Sequence, residues 1–231
     1  MKFTTLAAAA ALALAPMAAS AVTTFGFNGG TVQFTQHNAA NPVSFTGLLA
    51  PTSITDNVQL NVTGNKLSTD PGGCTAGVDC RRSPFEGMAA FGTGQYHSVQ
   101  GGTGPSGGTP GGTITYDFGA VVPGISFLWG SPDTYNFLEF YLGVGPNPFA
   151  TLGGTALINA GAIAAEDAVT IAIFGFDFDK VVFRSNPNNT LDAFEISNFS
   201  VIPLPAALLL FGTAFAGAGL VRRYGRKPAA A

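Results

Sequence analysis

The chain has 231 residues, 46% hydrophobic and only 10% charged, with 31 Gly, 20 Phe and 2 Cys. All 13 acidic residues lie between Asp56 and Glu195, where five basic ones (Lys66, Arg81, Arg82, Lys180 and Arg184) accompany them, so that stretch carries 5 − 13 = −8. An acidic surface of this kind repels phosphate backbones and argues against nucleic acid as a partner.

The first residues, "MKFTTLAAAAALALAPMAASA", carry one positive charge at Lys2 and then a Leu/Ala run from Leu6 to Leu14. Ala19-Ser20-Ala21 follows with the small-x-small pattern of a cleavage site. The run is too short to span a bilayer and has the flanks of a secretory signal. Residues 1–21 are therefore expected to form a signal helix removed by signal peptidase before Val22, which makes the rest an exported domain.

From Val22 onward helical periodicity is nearly absent and short alternating runs recur. "TTFGFNG" puts Phe25 and Phe27 on one face, and "VQLNVT" aligns Val58, Leu60 and Val62. "TITYDF" aligns Ile114, Tyr116 and Phe118; "GISFLWG" aligns Ile125, Phe127 and Trp129; "NFLEFYL" aligns Leu138, Phe140 and Leu142. "AVTIAIFGFDF" offers Val169, Ile171 and Ile173 and then changes phase to Phe174, Phe176 and Phe178, which predicts a bulge or bend. "KVVFRS" and "DAFEISNFSV" complete the series. Period-two alternation punctuated by Gly, Pro, Asn and Asp reads as antiparallel strands. Residues 22–201 are predicted to form a mainly β, antiparallel β-sandwich of jelly-roll type. One short helix is expected within it, from Ala156 to Ala164.

Residues of about 70–112 read differently, ending in "GGTGPSGGTPGG". Gly, Thr, Pro and Ser bury no core, so the segment is predicted to be a long surface insertion. It lacks the Lys-Ser/Thr of a phosphate-binding loop. Cys74 and Cys80 lie within it, with five residues between them in "CTAGVDC". In an exported chain that spacing predicts a small structural disulfide loop, and it is not the C-x-x-C spacing of redox or zinc sites.

Three groups of residues are candidates for chemistry or recognition. In "FLWGSPDTYNFLEFY", Trp129, Tyr135 and Tyr141 supply aromatic faces, while Asp133 and Asn136 supply polar groups. The set Trp129, Asp133, Tyr135 and Asn136 fits a glycan contact. The simpler alternative is that Trp129 continues an inward row and Gly130 to Asp133 form a tight turn. Asp177 and Asp179, two apart on one strand face, are candidate calcium ligands, with Asp192 and Glu195 in the next segment. A glycosidase pair would need two facing carboxylates, which spacing alone does not define. The two histidines, His37 and His97, stand outside any metal-ligand or triad spacing and are expected in solvated loops.

The last segment has three parts in a fixed order. Ile202-Pro203-Leu204-Pro205-Ala206 comes first. Ala206 to Val221 is then a run of 16 uncharged residues, followed at once by Arg222, Arg223, Arg226 and Lys227. Pro203 and Pro205 place the start of a helix at Ala206. Sixteen residues are near the lower limit for a transmembrane helix, and the basic flank belongs on the cytoplasmic side, which leaves the β-domain across the membrane. A permanent single-span anchor satisfies that pattern.

Residues 202–227 also resemble the PEP-CTERM sorting signal, in the variant whose motif reads V-P-L-P-A, with Ile202 in place of Val. The resemblance covers about the last 30 residues. It implies recognition by exosortase, a membrane-embedded cysteine transpeptidase of Gram-negative bacteria, which cuts at the motif and passes the protein toward the cell surface. The implied location is across the inner membrane, anchored transiently and then at the cell surface or outside it. Substrates of exosortase often carry a segment similar to the "WGS-D-YN" of residues 129–136, with no activity attached to it. The expectation is thus a non-enzymatic surface or matrix protein associated with exopolysaccharide or biofilm. A glycan-binding surface module and a secreted polysaccharide-active hydrolase are the alternatives.

Overall fold

A computed structural model describes residues 21–55, 58–64, 83–100, 111–130, 132–161, 168–186 and 193–203. Residues 1–20, Cys74, Cys80, Leu204, Pro205, Ala206, the apolar run and Arg222, Arg223, Arg226 and Lys227 lie outside the described residues. So do Asp192 and the end of the expected helix, Ala162 to Ala164. Among the described residues no helix is long and apolar enough to cross a membrane.

The described chain is mainly β and forms one antiparallel sheet of ten strands. In chain order the strands are β1 (Val22–Phe27), β2 (Gly30–His37), β3 (Ser53–Ile54), β4 (Val58–Val62), β5 (Tyr96–Gln100), β6 (Thr113–Gly130) and β7 (Asn136–Tyr141). β8 (Ala150–Gly153), α1 (Gly154–Asn159), β9 (Ala168–Ser185) and β10 (Ala193–Val201) follow. The main path across the sheet is β1-β2-β9-β6-β10-β5-β4. β3 joins β6, and β7 joins β9 with β8 on its outer edge.

β6 and β9, 18 residues each, run side by side through two halves of this sheet. In the first half, Val169 to Phe174 of β9 lie between β2 and β6. In the second half, Lys180 to Ser185 lie between β6 and β7. Between the halves the register slips. Asp117 faces Lys180, but the next partners are Val122 with Phe178 and then Gly124 with Phe174. Gly119, Ala120 and Val121 therefore loop outward. Gly175 takes a φ of 93°, a left-handed conformation that suits glycine. The inward phase changes with the bend: Val169, Ile171 and Ile173 are buried, then Phe178, then Val181 and Phe183. The phase change expected near Ile173 is thus a double bulge that turns both strands.

The bend lets the two halves share one core. Phe127 of the first half meets Phe183 of the second edge-on at 5.0 Å between ring centroids. Phe27 of β1 meets Phe140 of β7 at 5.9 Å. β1 and β2 are joined by Asn28 and Gly29, both at positive φ, as the tightest right-twisting hairpins require.

Four expectations need correction. Residues 83–100 do not belong to a surface insertion. Phe85 and Met88 pack on Leu128 and Ala168, covering the outer side of the first half, and Tyr96 and Val99 of β5 are fully buried. The Gly-rich average of the surrounding sequence masks these large apolar residues. Leu142 does not continue the row of Leu138 and Phe140, because β7 ends at Tyr141 and Leu142 is exposed. The helix spans only Gly154–Asn159, and Gly161, at positive φ, donates its N–H to Ile158 O and closes it. Neither histidine is solvated, as described below.

Candidate functional site

The outward side of the second half carries a connected set of polar and aromatic side chains. β7 turns Asn136, Leu138 and Phe140 inward, which leaves Phe137, Glu139 and Tyr141 outward. β9 turns Val181, Phe183 and Ser185 inward, which leaves Lys180, Val182 and Arg184 outward. The register sets Phe137 opposite Arg184, Glu139 opposite Val182, and Tyr141 opposite Lys180.

Glu139 organises the strip. Arg184 Nε donates to Glu139 Oε1 at 2.8 Å, and the Tyr141 hydroxyl donates to Oε2 at 3.0 Å. The two flanking cations each cover a ring: Lys180 Nζ stands 4.2 Å from the Tyr141 centroid and Arg184 Cζ stands 4.8 Å from that of Phe137. Partial burial and the Glu139 carboxylate both raise the Tyr141 pKa, because each disfavours the phenolate; Arg184 partly offsets them. Thr151 of β8 lies opposite Glu139, and Thr113, Thr115 and Asp117 of β6 line the other side of β9. The hydroxyls and charged groups of this face can hydrogen-bond a polar ligand, while the Tyr141 and Phe137 rings are each covered by a cation.

The candidate glycan set is not brought together. Trp129 is fully buried with its ring stacked on Phe194 at 4.3 Å, and Asn136 is fully buried at the start of β7. Trp129 therefore continues the inward row of Ile125 and Phe127, and neither residue is available to a surface ligand. Asp133 and Tyr135 lie half-buried in the turn before β7, where Asp133 O accepts from Asn136 N and Tyr135 O from Asn186 N. Asp177 is exposed in the β9 bend, while Asp179 Oδ2 accepts from the Gly143 N–H at 2.7 Å and so closes the β7–β8 loop. Glu195 is buried in β10. Among the described residues no three His, Cys, Asp or Glu side chains gather as a metal site would require.

His37 and His97 are buried hydrogen-bonding residues in strands. His37 Nδ1 donates to Asn41 O at 3.2 Å, so its Nε2 accepts from the Thr170 hydroxyl at 2.8 Å. His97 Nδ1 accepts from the Asn61 N–H at 3.2 Å, and Nε2 faces Leu49 O at 3.4 Å. Burial lowers both pKa values, opposed only by one backbone acceptor each. Of the terminal motif, Ile202 donates its N–H to Gly124 O at 2.9 Å and Pro203 is exposed.

No protein-family model matches the chain, and no match was found among curated proteins or solved structures. The Glu139 strip was legible in principle. In "NFLEFY" and "KVVFRS" the phase complementary to the inward one carries an aromatic and charged set, but each run taken alone shows nothing of their pairing.

Proposed function

We propose that the chain is an exported surface or extracellular-matrix protein, sorted by exosortase and without enzymatic activity of its own. Its setting is an exopolysaccharide or biofilm layer, and its bent sheet acts as a β-sandwich of jelly-roll type. The observation that carries this reading is the order of Ile202-Pro203-Leu204-Pro205-Ala206, the uncharged run to Val221 and the basic residues from Arg222. The position of the motif supports it: β10 ends at Val201, and Pro203 is exposed directly after the last backbone tie at Ile202. A processing enzyme acting beyond Pro203 would not have to open the described sheet. Intact mass and C-terminal peptide mapping of the protein from its native host test this. Loss of everything beyond residues 202–206 is expected. A tail that runs intact to Ala231 would sink the sorting reading and leave a single-span anchored domain.

A glycan-binding function is the second reading, now on the Phe137–Glu139–Tyr141 strip with Lys180 and Arg184. Affinity electrophoresis in polysaccharide gels separates the two. Retardation that Tyr141→Ala abolishes favours binding; unchanged mobility across a polymer panel favours a purely structural role.

A further inference from the structure

The bend of β6 and β9 gathers several loops at one end of the molecule, and the register fixes which. Lys180 is level with Tyr141 and Asp117, so the β7–β8 loop and the Gly119–Val121 bulge lie just beyond it. Phe174 is level with Gly124 and Thr31, and Ile202 is tied to Gly124, so the β1–β2 turn and the exit of the chain lie at this same end. Four large apolar side chains are exposed there: Val121 at 54%, Leu142 at 52%, Val144 at 106% and Phe149 at 43%. Nothing in their own loops needs them outside. Val121 sits on a bulge, while Leu142, Val144 and Phe149 sit on a loop pinned by Asp179.

The position of the chain exit says what covers them. Four Cα steps separate Ile202 from Ala206, where the uncharged run begins, a reach of at most about 14 Å. Resting on the anchoring part of the proposal above, this tether holds the bend end against the bilayer that the run enters. The opposite end, where Ala39 follows β2, is turned away. We infer that Val121, Leu142, Val144 and Phe149 form a lipid-facing rim that seats the domain on the membrane surface while the tail is in place. Apolar side chains at the headgroup level are stabilised there, and the tether supplies a high local concentration that makes a small patch sufficient. Asp177, exposed at the same end, limits how deep the rim sits. Removal of the tail leaves four side chains too few to hold the domain, so the same surface permits release.

The test uses residues 22–231, which keep the tail and lack the expected signal, in vesicles of phosphatidylethanolamine and phosphatidylglycerol, with or without brominated acyl chains. Flotation reports anchoring; fluorescence of Val144→Trp and Ala39→Trp reports contact at the two ends. Buried Trp129 gives both variants the same background. The expected result is that vesicles float with the protein, bromine quenches most of the fluorescence added by Val144→Trp, and that added by Ala39→Trp is unchanged. Adding Leu142→Glu to Val144→Trp should reduce the quenching and leave flotation intact. Flotation with equal, weak quenching at both positions overturns the rim while the anchor stands, whether the patch is free or taken by a second copy. Failure to float overturns the anchor and the rim together.

Discussion

Tyr116 lies flat on Phe199, with ring centroids 4.2 Å apart and planes 11° from parallel. Tyr116 is on the second-half part of β6, whereas Phe199 is on β10, which pairs with the first-half part. The stack therefore closes the bend from inside. The Tyr116 hydroxyl is buried without a hydrogen-bond partner among the described residues, and burial raises its pKa. Tyr116→Phe keeps the stack and removes the stranded hydroxyl, so thermal or urea unfolding should show unchanged or slightly increased stability, by up to about 1 kcal/mol. Tyr116→Ala should cost about 3–5 kcal/mol.

Stability should fall on mild acidification. His37 and His97 have folded pKa values below their ordinary value of 6.5, with burial the main cause. The unfolded chain then binds more protons, so the stabilisation is full above pH 6.5 and is lost as pH falls through the folded values. Protonation also turns His97 Nδ1 into a donor facing the Asn61 N–H. Urea midpoints at pH 8 and pH 5 check this; His97→Gln should flatten part of the difference. A midpoint independent of pH over that range would contradict the neutral, buried state of both rings.

Gly154 should tolerate no side chain. A Cβ there would stand 2.0 Å from Asp133 O, a backbone atom in the turn before β7. Gly154→Ala must displace either that turn or the start of α1. A loss of about 1–3 kcal/mol is expected, whereas Gly143→Ala, in open space but at a φ of 73°, should cost only the strain of its backbone. Denaturation of the two variants side by side measures the difference.

The Glu139 strip can be read through Tyr141. Glu139→Gln removes a neighbouring negative charge and should lower the Tyr141 pKa toward its ordinary value of 10.0. Arg184→Ala removes a neighbouring positive charge and should raise it. Ultraviolet difference titration resolves both shifts. Neither change should cost more than about 1 kcal/mol of stability, because the pair is partly solvated.

The strands legible in the sequence were those with uninterrupted alternation, such as Ile125-Phe127-Trp129 and Leu138-Phe140. The rest was hidden for physical reasons. Leu128 is buried between two inward residues, since a second layer built from Phe85 and Met88 covers the outer face, and no period-two rule anticipates that. Tyr96 and Val99 were lost in Gly-rich surroundings. The buried histidines were missed because their partners, Thr170 for His37 and Asn61 for His97, are distant in sequence. The same distance hid the joining of Glu139 to Arg184. The double bulge was announced by a change of phase, although the fold-back it produces was not.

The pairing of His37 with Ala168 at the end of β2 places the first hairpin of the chain beside a strand synthesised more than half a chain later. A polypeptide made from its N-terminus delivers β1 and β2 first, and they must wait with one edge open until β9 has been made. An open edge is a template for wrong pairing. The interval in which this protein is exposed to wrong pairing therefore ends only when β9 becomes available to cover the edge of β2.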